Sequence, residues 1–294
     1  MSRIAVVTSS PPFVEGGHLV IARSLVQALC ERGHQAELIV TPSNRFGRQA
    51  SAYMANWMTD VGRTGSGARV DQVISTRYPS YAVRHDRHVC WLNHPMREYY
   101  DLWDSWSSTL SPQGRIKERF RRTVIHAADS YLFKHNVTKL FAQSKTVQGR
   151  LVRWNSVTSE VLYPPPPQRR YHCAGYGDFV LAYSRLAPLK RLGLVIDALA
   201  TPAAAGVRCV IAGDGEERAS LEVRARERGV ADRVQFVGHI ADQELTTYLA
   251  TCRAVVFVPK DEDYGMVTVE AFASFSFSSW PLISTMRLSR SSRP

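Results

Sequence analysis

Four consecutive prolines, Pro164 to Pro167, interrupt the sequence a little beyond its midpoint. Proline has a fixed φ and no amide hydrogen, so such a run fits neither a helix interior nor the middle of a sheet. We interpret it as a stiff, extended linker. The run therefore predicts two domains, one over residues 1–165 and one over residues 166–274.

On both sides of the linker, short β-rich runs alternate with amphipathic runs, which is typical of α/β architecture. Before the linker we predict strands at residues 3–8, 36–40, 70–75, 88–92 and 139–142, helices at 17–32, 95–106 and 112–135, and a loop over 44–68. After it we predict strands at 179–184, 207–212, 234–236 and 254–258, and helices at 192–199, 216–228, 242–250 and 266–273. This pattern predicts two doubly wound, Rossmann-like domains that face a cleft. Their ligands should lie beyond the carboxyl ends of the strands.

Several classes of protein are disfavoured by composition. The first apolar run, Ile4 to Val7, is too short for a signal peptide, and no stretch approaches the ~20 apolar residues of a membrane helix. The five cysteines are scattered and form no C-x-x-C pair, which argues against a disulfide framework and against a zinc site. We therefore expect a cytoplasmic protein.

The formal net charge is +11, and much of it lies in residues 112–153, where ten Lys and Arg residues face two acids. Such a basic region can bind an anionic membrane surface. A solvated helix face is the alternative interpretation. We expect peripheral contact with the inner face of the membrane and no nucleic-acid partner. The densest cluster comprises Arg115, Lys117, Arg119, Arg121 and Arg122.

Two short patterns could bind phosphate. Gly16 and Gly17 open a helix after the first strand, where free amides and the helix dipole favour an anion. Arg185 and Lys190 follow a strand on a loop that enters a helix, where two cations can clamp a diphosphate. Taken singly, a simple turn and two surface cations explain the same residues.

Two further patterns involve glycines and acids. Gly213 and Gly215 lie between a strand and a helix and resemble half of a dinucleotide fingerprint, without its third glycine. Glu262 is predicted on a loop and Glu270 on the helix that follows it. Carboxylates accept hydrogen bonds from sugar hydroxyls, and Gly265 between them leaves backbone amides free to donate.

In this order, the patterns resemble the family-four retaining glycosyltransferases of the GT-B type, from near residue 3 to about Ser274. The resemblance implies sugar transfer from a nucleotide-diphosphate sugar to a glycan or lipid-linked acceptor, with retention of configuration, as in cell-envelope polysaccharide biosynthesis. It implies no separate cofactor, because the nucleotide sugar is the donor substrate. The carrying motifs are Gly16-Gly17, Val161–Pro166, Tyr183–Leu186 with Lys190, Ile211–Gly215, Phe236–Gly238 and Glu262–Ala273.

The resemblance also implies roles for single residues. Arg185 and Lys190 match the pair that neutralises the donor diphosphate, and Gly16 matches the loop near the distal phosphate. Glu270 matches the acid that holds the ribose, and Glu262 the acid beside the donor sugar. The other implied nucleotide-sugar contacts are Gly17, Gly213, Gly238, Tyr264, Gly265, Met266 and Val267.

His94 and Glu262 are the implied catalytic residues. His94 resembles the histidine at a strand end that faces the reacting sugar, although a lone histidine before proline is often structural. Asp261, Glu262 and Asp263 also spell D-x-D, a metal-binding signature of another glycosyltransferase fold. Because it overlaps the Glu-x7-Glu pattern here, we interpret it as non-metal and expect no metal site.

Beyond Ser274 the family pattern continues with further strands and helices, whereas this sequence continues into an aberrant Ser/Arg-rich tail, residues 275–294. We therefore expect an incomplete second domain. Two alternatives to the active enzyme follow. One is a catalytically inactive, truncated remnant, and the other is a dinucleotide-dependent oxidoreductase. The absence of G-x-G-x-x-G after the first strand argues against the oxidoreductase.

Overall fold

The computed structural model of the chain describes residues 1–13, 16–43 and 47–275. The chain forms two compact units. The first contains Met1–Gln168 together with the short segment Glu262–Gly265, and the second contains Arg169–Asp261 and the residues from Met266 onward. Apart from Phe275, the predicted aberrant tail lies outside the described residues.

The first unit is built on a six-stranded parallel sheet in the order β2-β1-β3-β4-β5-β6. The central strand β1 is buried from its second residue to its last, as expected of a parallel strand covered on both faces. Because β2 and β3 flank β1 on opposite sides, the direction of winding reverses beside β1. The strands are β1 (Arg3–Ser10), β2 (Gln35–Pro42), β3 (Gln72–Ser75), β4 (His88–Leu92), β5 (Lys139–Ala142) and β6 (Glu160–Val161).

The described residues of the first unit form five α-helices, and the ends of these helices follow local chemistry. Ser111 caps α4 by accepting a hydrogen bond from the Gly114 amide at 3.2 Å, and Pro112 occupies the first turn, where its missing amide has no cost. Ser144 caps α5 in the same way through the Val147 amide. The helices are α1 (Gly17–Glu31), α2 (Gln49–Met58), α3 (Trp103–Ser107), α4 (Pro112–His135) and α5 (Lys145–Asn155).

Two predictions for the first unit are wrong. The predicted loop over residues 44–68 contains helix α2, whose buried stripe is the small or polar set Gln49, Ala52 and Asn56. Hydrophobic periodicity cannot report such a stripe. The predicted helix over 95–106 is a 3-10 turn at Arg97–Tyr99 followed by the short α3.

The described part of the second unit repeats the architecture with four parallel strands in the order β10-β7-β8-β9. Its strands are β7 (Phe179–Tyr183), β8 (Arg208–Ala212), β9 (Val234–Gly238) and β10 (Ala254–Val255). Its helices are α6 (Leu192–Leu199), α7 (Arg218–Glu227), α8 (Asp242–Thr251) and α9 (Met266–Ser274). The sequence-predicted elements of this unit are present within a few residues of these bounds. No described helix of either unit is both long and apolar enough to cross a bilayer.

A buried carboxylate lies in the core of the first unit. Asp129 on α4 is fully buried and accepts hydrogen bonds from three tyrosine hydroxyls, those of Tyr53, Tyr81 and Tyr100. Burial raises the pKa of Asp129 to about 6, and the three hydrogen bonds act in the opposite direction by favouring its charged form. The network joins α2, α4 and the segments around residues 81 and 100.

Asp129 should therefore make stability depend on pH. Because its folded-state pKa lies above that of an unfolded aspartate, the folded protein holds the proton more tightly, and stability falls as pH rises from about 4 to about 6. Asp129→Asn removes this titration. Denaturant unfolding of both proteins between pH 4 and 7 should show the variant gaining up to about 3 kcal/mol relative to the wild type across that window. Parallel pH profiles would contradict the assignment.

Candidate functional site

In the first unit, the sequence-predicted residues collect at the carboxyl edge of the sheet. Gly16 follows β1 and is the N-cap residue of α1, with extended backbone (φ −163°, ψ 168°). His94 follows β4, two strands away from β1. Because all strands of the sheet are parallel, both loops lie on the edge where α/β folds bind their ligands.

The hydrogen-bond partner of His94 determines which of its ring nitrogens carries the hydrogen. His94 Nδ1 lies 2.7 Å from the Pro95 carbonyl oxygen. Since a carbonyl only accepts, Nδ1 carries the hydrogen and Nε2 of the neutral ring keeps a lone pair. Burial lowers the pKa of His94, nearby Asp263 raises it, and Arg77 and Arg97 lower it. The neutral ring therefore presents an acceptor at neutral pH.

The segment Glu262–Gly265 also belongs to the first unit. Residues with left-handed backbone stand at both its ends, since φ is 50° at Asp261 and 74° at Gly265. Within the segment, Asp263 forms an ion pair with Arg150 on α5. The Tyr264 hydroxyl donates to the Pro164 carbonyl at 2.6 Å. The side chains of Asp263 and Tyr264 therefore attach the segment to the rest of the first unit.

In the second unit, the two predicted cations follow β7. Arg185 is exposed to solvent, and the Lys190 ammonium lies 5.7 Å from the centre of the Phe257 ring. Next to it, Arg191 has left-handed backbone, and its Nε donates to the Val258 carbonyl at 2.8 Å. A further backbone bond runs from the Lys260 amide to the Leu189 carbonyl. The cationic loop is thus fastened to the loop that follows β10.

The two glycines after β8 are required by a close approach of two backbones. A Cβ on Gly213 would lie 1.9 Å from the Ser184 carbonyl oxygen, and one on Gly215 would lie 2.3 Å from that of Leu186. Both glycines also have positive φ. The Gly213 amide already donates to the Gly238 carbonyl at 2.7 Å. Backbone packing therefore explains why glycine is needed at positions 213 and 215. The ligand contacts predicted for Gly213 and Gly238 stay predictions.

Glu270 on α9 is a buried predicted site residue of the second unit, with 3% of its surface exposed. Its carboxylate pairs with Arg169, and it accepts hydrogen bonds from the hydroxyls of Tyr171 at 3.1 Å and Tyr183 at 2.9 Å. Arg169 also reaches Asp242 at 2.8 Å. Tyr183 ends β7 and contacts the Val267 carbonyl at 3.3 Å, so the first turn of α9 lies over the carboxyl edge of the sheet.

Sequence reasoning found the loops of this site and missed the partners of its acid. Arg169, Tyr171 and Tyr183 were not singled out as its ligands, because their separation from Glu270 is on the order of 90–100 positions and no local pattern reports such a contact. Glu262 and Glu270 belong to different units of the structure, so the Glu-x7-Glu pattern is divided between them. Among the described residues, no three His, Cys, Asp or Glu side chains are grouped to share a metal ion.

The cluster around Glu270 leads to a stability prediction. Replacing Arg169 with Met leaves a buried carboxylate without its cation, which should cost about 3–5 kcal/mol of unfolding free energy. The double variant Arg169→Met, Glu270→Leu removes both charges and should recover part of that loss. Denaturant unfolding checks both variants. Wild-type stability of the single variant would show that the ion pair contributes nothing to the fold.

The comparisons with known proteins match this arrangement. Residues 174–275 match the family model described as "Glycosyl transferases group 1". A mannosylfructose-phosphate synthase from Agrobacterium fabrum is 30% identical over 108 residues, which is 33% of this chain and 24% of that protein. The match thus spans about a quarter of the length of this curated relative.

Solved structures resemble the chain over most of its length. A sucrose-phosphate synthase from Thermosynechococcus elongatus has a TM-score of 0.67 at 16% identity, covering 93% of this chain and 79% of its own. WaaG, a glycosyltransferase involved in lipopolysaccharide biosynthesis, has a TM-score of 0.65 at 16% identity, covering 92% of this chain and 79% of its own. HepE from Anabaena, solved with UDP and glucose, has a TM-score of 0.58 at 17% identity, covering 92% and 78%. The fold is therefore of the GT-B type, with two Rossmann-like units, and the segment that matches the group 1 glycosyltransferase model lies in the second unit.

Proposed function

We propose that the chain transfers a sugar from a nucleotide-diphosphate sugar to a glycan or lipid-linked acceptor, with retention of configuration. One observation carries the proposal. The cations Arg185 and Lys190 and the buried acid Glu270 converge on the carboxyl edge of one parallel sheet, within the segment that matches group 1 glycosyltransferases. Oxidoreductase chemistry has no comparable support, because the glycines after β8 are accounted for by backbone packing.

The donor diphosphate is the proposed ligand of the basic loop. As the glycosidic bond breaks, negative charge grows on the departing diphosphate, and fixed cations stabilise that charge. Arg185 offers a fork of donors and Lys190 a point charge. The loop is held by a hydrogen bond from the Arg191 side chain to the Val258 carbonyl and by a backbone bond from Lys260, so little reorganisation is needed when the ligand arrives. Glu270 would accept hydrogen bonds from the ribose hydroxyls, which requires its partner Arg169 to share or release it.

His94 and Glu262 are the proposed residues at the reacting sugar. With Nδ1 bonded to the Pro95 carbonyl, His94 Nε2 can accept a hydrogen bond from a sugar hydroxyl. Glu262 would accept hydrogen bonds from other hydroxyls, and the amides from Tyr264 to Val267 would donate. We assign no covalent nucleophile. We propose that no metal takes part, because Asp263 of the D-x-D triplet is already paired with Arg150.

Calorimetry tests the diphosphate site. Arg185→Ala and Lys190→Ala should each weaken binding of a nucleoside diphosphate by about 1.5–3 kcal/mol, because each removes a charge-assisted contact. UDP is the first probe, since the Anabaena structure contains UDP and glucose. Arg208→Ala is the matched control. Arg208 is an exposed arginine of the same unit at the opposite, amino end of β8, paired with Asp178.

Three outcomes would change the proposal. Unchanged affinity in both variants would remove the clamp. Affinity lost in excess chelator and restored by manganese or magnesium would make Asp261 and Asp263 metal ligands. Binding of a nicotinamide cofactor in place of UDP, GDP or ADP would favour the oxidoreductase. Hydrolysis of the bound donor separates an active enzyme from an inactive remnant.

We also propose that α4 rests on an anionic membrane surface, at the inner face of the membrane. Support comes from an apolar stripe that faces outward, whereas the opposite face carries the buried Ile125 and Asp129. The exposed cations Arg115, Lys117 and Arg119 lie on the same turns of α4, so apolar burial and attraction to anionic lipid would act together, as in helices that lie in the membrane interface. The stripe comprises Ile116, Phe120, Val124 and Tyr131, which are 51–74% exposed.

Vesicle sedimentation tests this contact. The double variant Ile116→Ser, Phe120→Ser should bind vesicles of anionic phospholipid about tenfold more weakly or worse, because two large apolar groups no longer leave water. Val223→Ser, at an exposed valine of α7, is the control. Wild-type binding should weaken with added salt and be poor on zwitterionic vesicles. Equal binding by all three proteins would assign α4 to a solvated surface.

A further inference from the structure

We propose that four side chains of the first unit, Arg97, Asp101, Arg150 and Asp263, act as positioning residues for Glu262. They form a charge ring that fixes the acidic segment Glu262–Gly265 at the carboxyl edge of the sheet. The inference rests on the proposed sugar transfer, because Glu262 is the acid assigned to the donor sugar there. Three of the four residues, Arg97, Asp101 and Arg150, belong to none of the motifs that carry the family resemblance.

The charge ring is closed and alternates in sign. Asp101 Oδ2 lies 2.6 Å from a terminal nitrogen of Arg97 and 2.9 Å from one of Arg150. Arg150 uses its other terminal nitrogen to pair with Asp263, and Asp263 lies 3.6 Å from Arg97. The four side chains are only 6–13% exposed. Each acid therefore lies between two arginines, and the ring has no net charge.

Such a ring is better suited to fixing geometry than to adding stability. Removing charges from water is costly, and the attraction between them offsets this cost only when the geometry is good. The planar arginine fork accepts few arrangements, so Arg150 bridges Asp101 and Asp263 in a defined orientation. If Asp263 were displaced, the two buried guanidinium groups would have to share Asp101 as the one remaining acid of the ring. The position of residue 263 is consequently restricted.

Further contacts carry that restriction to Glu262. The Ser144 hydroxyl, which caps α5, also donates to the backbone carbonyl of Asp263. Tyr264 is held by its bond to the Pro164 carbonyl and by stacking on Tyr163, with ring centres 5.8 Å apart. Glu262 thus stands between two anchored residues on one side and the left-handed turn at Asp261 on the other.

Two members of the charge ring also act on the pKa of His94, the second proposed catalytic residue. Asp263 and Arg97 are both close enough to His94 to influence its charge state, with opposite effects. One set of buried charges therefore fixes the acid at the donor sugar and contributes to the field at the histidine. A substitution that breaks the ring should therefore affect Glu262 and His94 together.

The first experiment is amide hydrogen exchange on the full chain, which needs no substrate. Asp263→Asn keeps the size of the side chain and removes its charge. We expect peptides covering residues 262–265 to exchange about tenfold faster than in the wild type, while the core strand β1 stays protected. Asp197→Asn is the matched control, because Asp197 also pairs with two arginines, Arg224 and Arg228, but on the surface of the second unit.

The second experiment is donor turnover with UDP-glucose and other nucleotide sugars. Asp263→Asn should lower kcat by about tenfold to a hundredfold, since small misplacements of a catalytic group have effects of this size. UDP affinity should stay within about twofold of the wild type, because Arg185, Lys190 and Glu270 are unchanged. Added to Glu262→Gln, Asp263→Asn should cause little further loss, because it acts through the group already removed.

The results separate this inference from the proposed function. Unchanged exchange at residues 262–265 in Asp263→Asn would overturn the anchoring whatever the activity. If the fold-losses in kcat of Glu262→Gln and Asp263→Asn multiply in the double variant, Asp263 does not act through Glu262, and that part of the inference is wrong. If the wild type binds no nucleotide sugar, the proposed function fails, while faster exchange in Asp263→Asn alone would still establish the anchor.

Discussion

Parallel strand pairing is the constraint on which the rest of the molecule depends. In both sheets every neighbouring pair of named strands runs in the same direction. A parallel pair cannot be closed by a tight hairpin, so each connection crosses the sheet and returns. All strand ends that lead into a helix therefore lie at one edge. Residues far apart in the chain, such as Gly16 and His94 in one unit or Arg185 and Gly238 in the other, share an edge for that reason alone.

Much of this arrangement could be predicted from the sequence, because its signals are local. Apolar runs bounded by turn residues located β4, β5 and α4 to the residue, and Leu192–Leu199 was found the same way. The failures have equally local causes. The buried stripe of α2 is made of Gln49, Ala52 and Asn56, which look like surface residues until Thr41 and Ser9 are seen to hydrogen-bond to Asn56.

The candidate site was predictable in its loops and not in its contacts. Strand ends point to where ligands bind, and a family resemblance points to which residues bind them. Neither reports that Glu270 is already bonded to Arg169 and two tyrosines, or that Asp263 is enclosed by arginines from two other parts of the first unit. Those pairings depend on tertiary packing between residues that are about 90 to 170 positions apart. Buried charges in particular escape hydrophobic patterning, because Asp129, Glu270 and Arg150 would each be assigned to the surface by type.

The close approach of Gly213 and Gly215 to the carbonyls of Ser184 and Leu186 has a consequence for binding entropy. The two loops share backbone bonds, including one from the Leu186 amide to the Asp214 carbonyl at 2.9 Å. The loop that carries Arg185 therefore cannot sample wide excursions independently of its neighbour. Ordering of this backbone is completed when the unit folds, so the proposed diphosphate ligand would lose less affinity to loop immobilisation. Because Gly213 and Gly215 carry no side chains, the two backbones pack closely, and this packing preorganises the loop that carries Arg185.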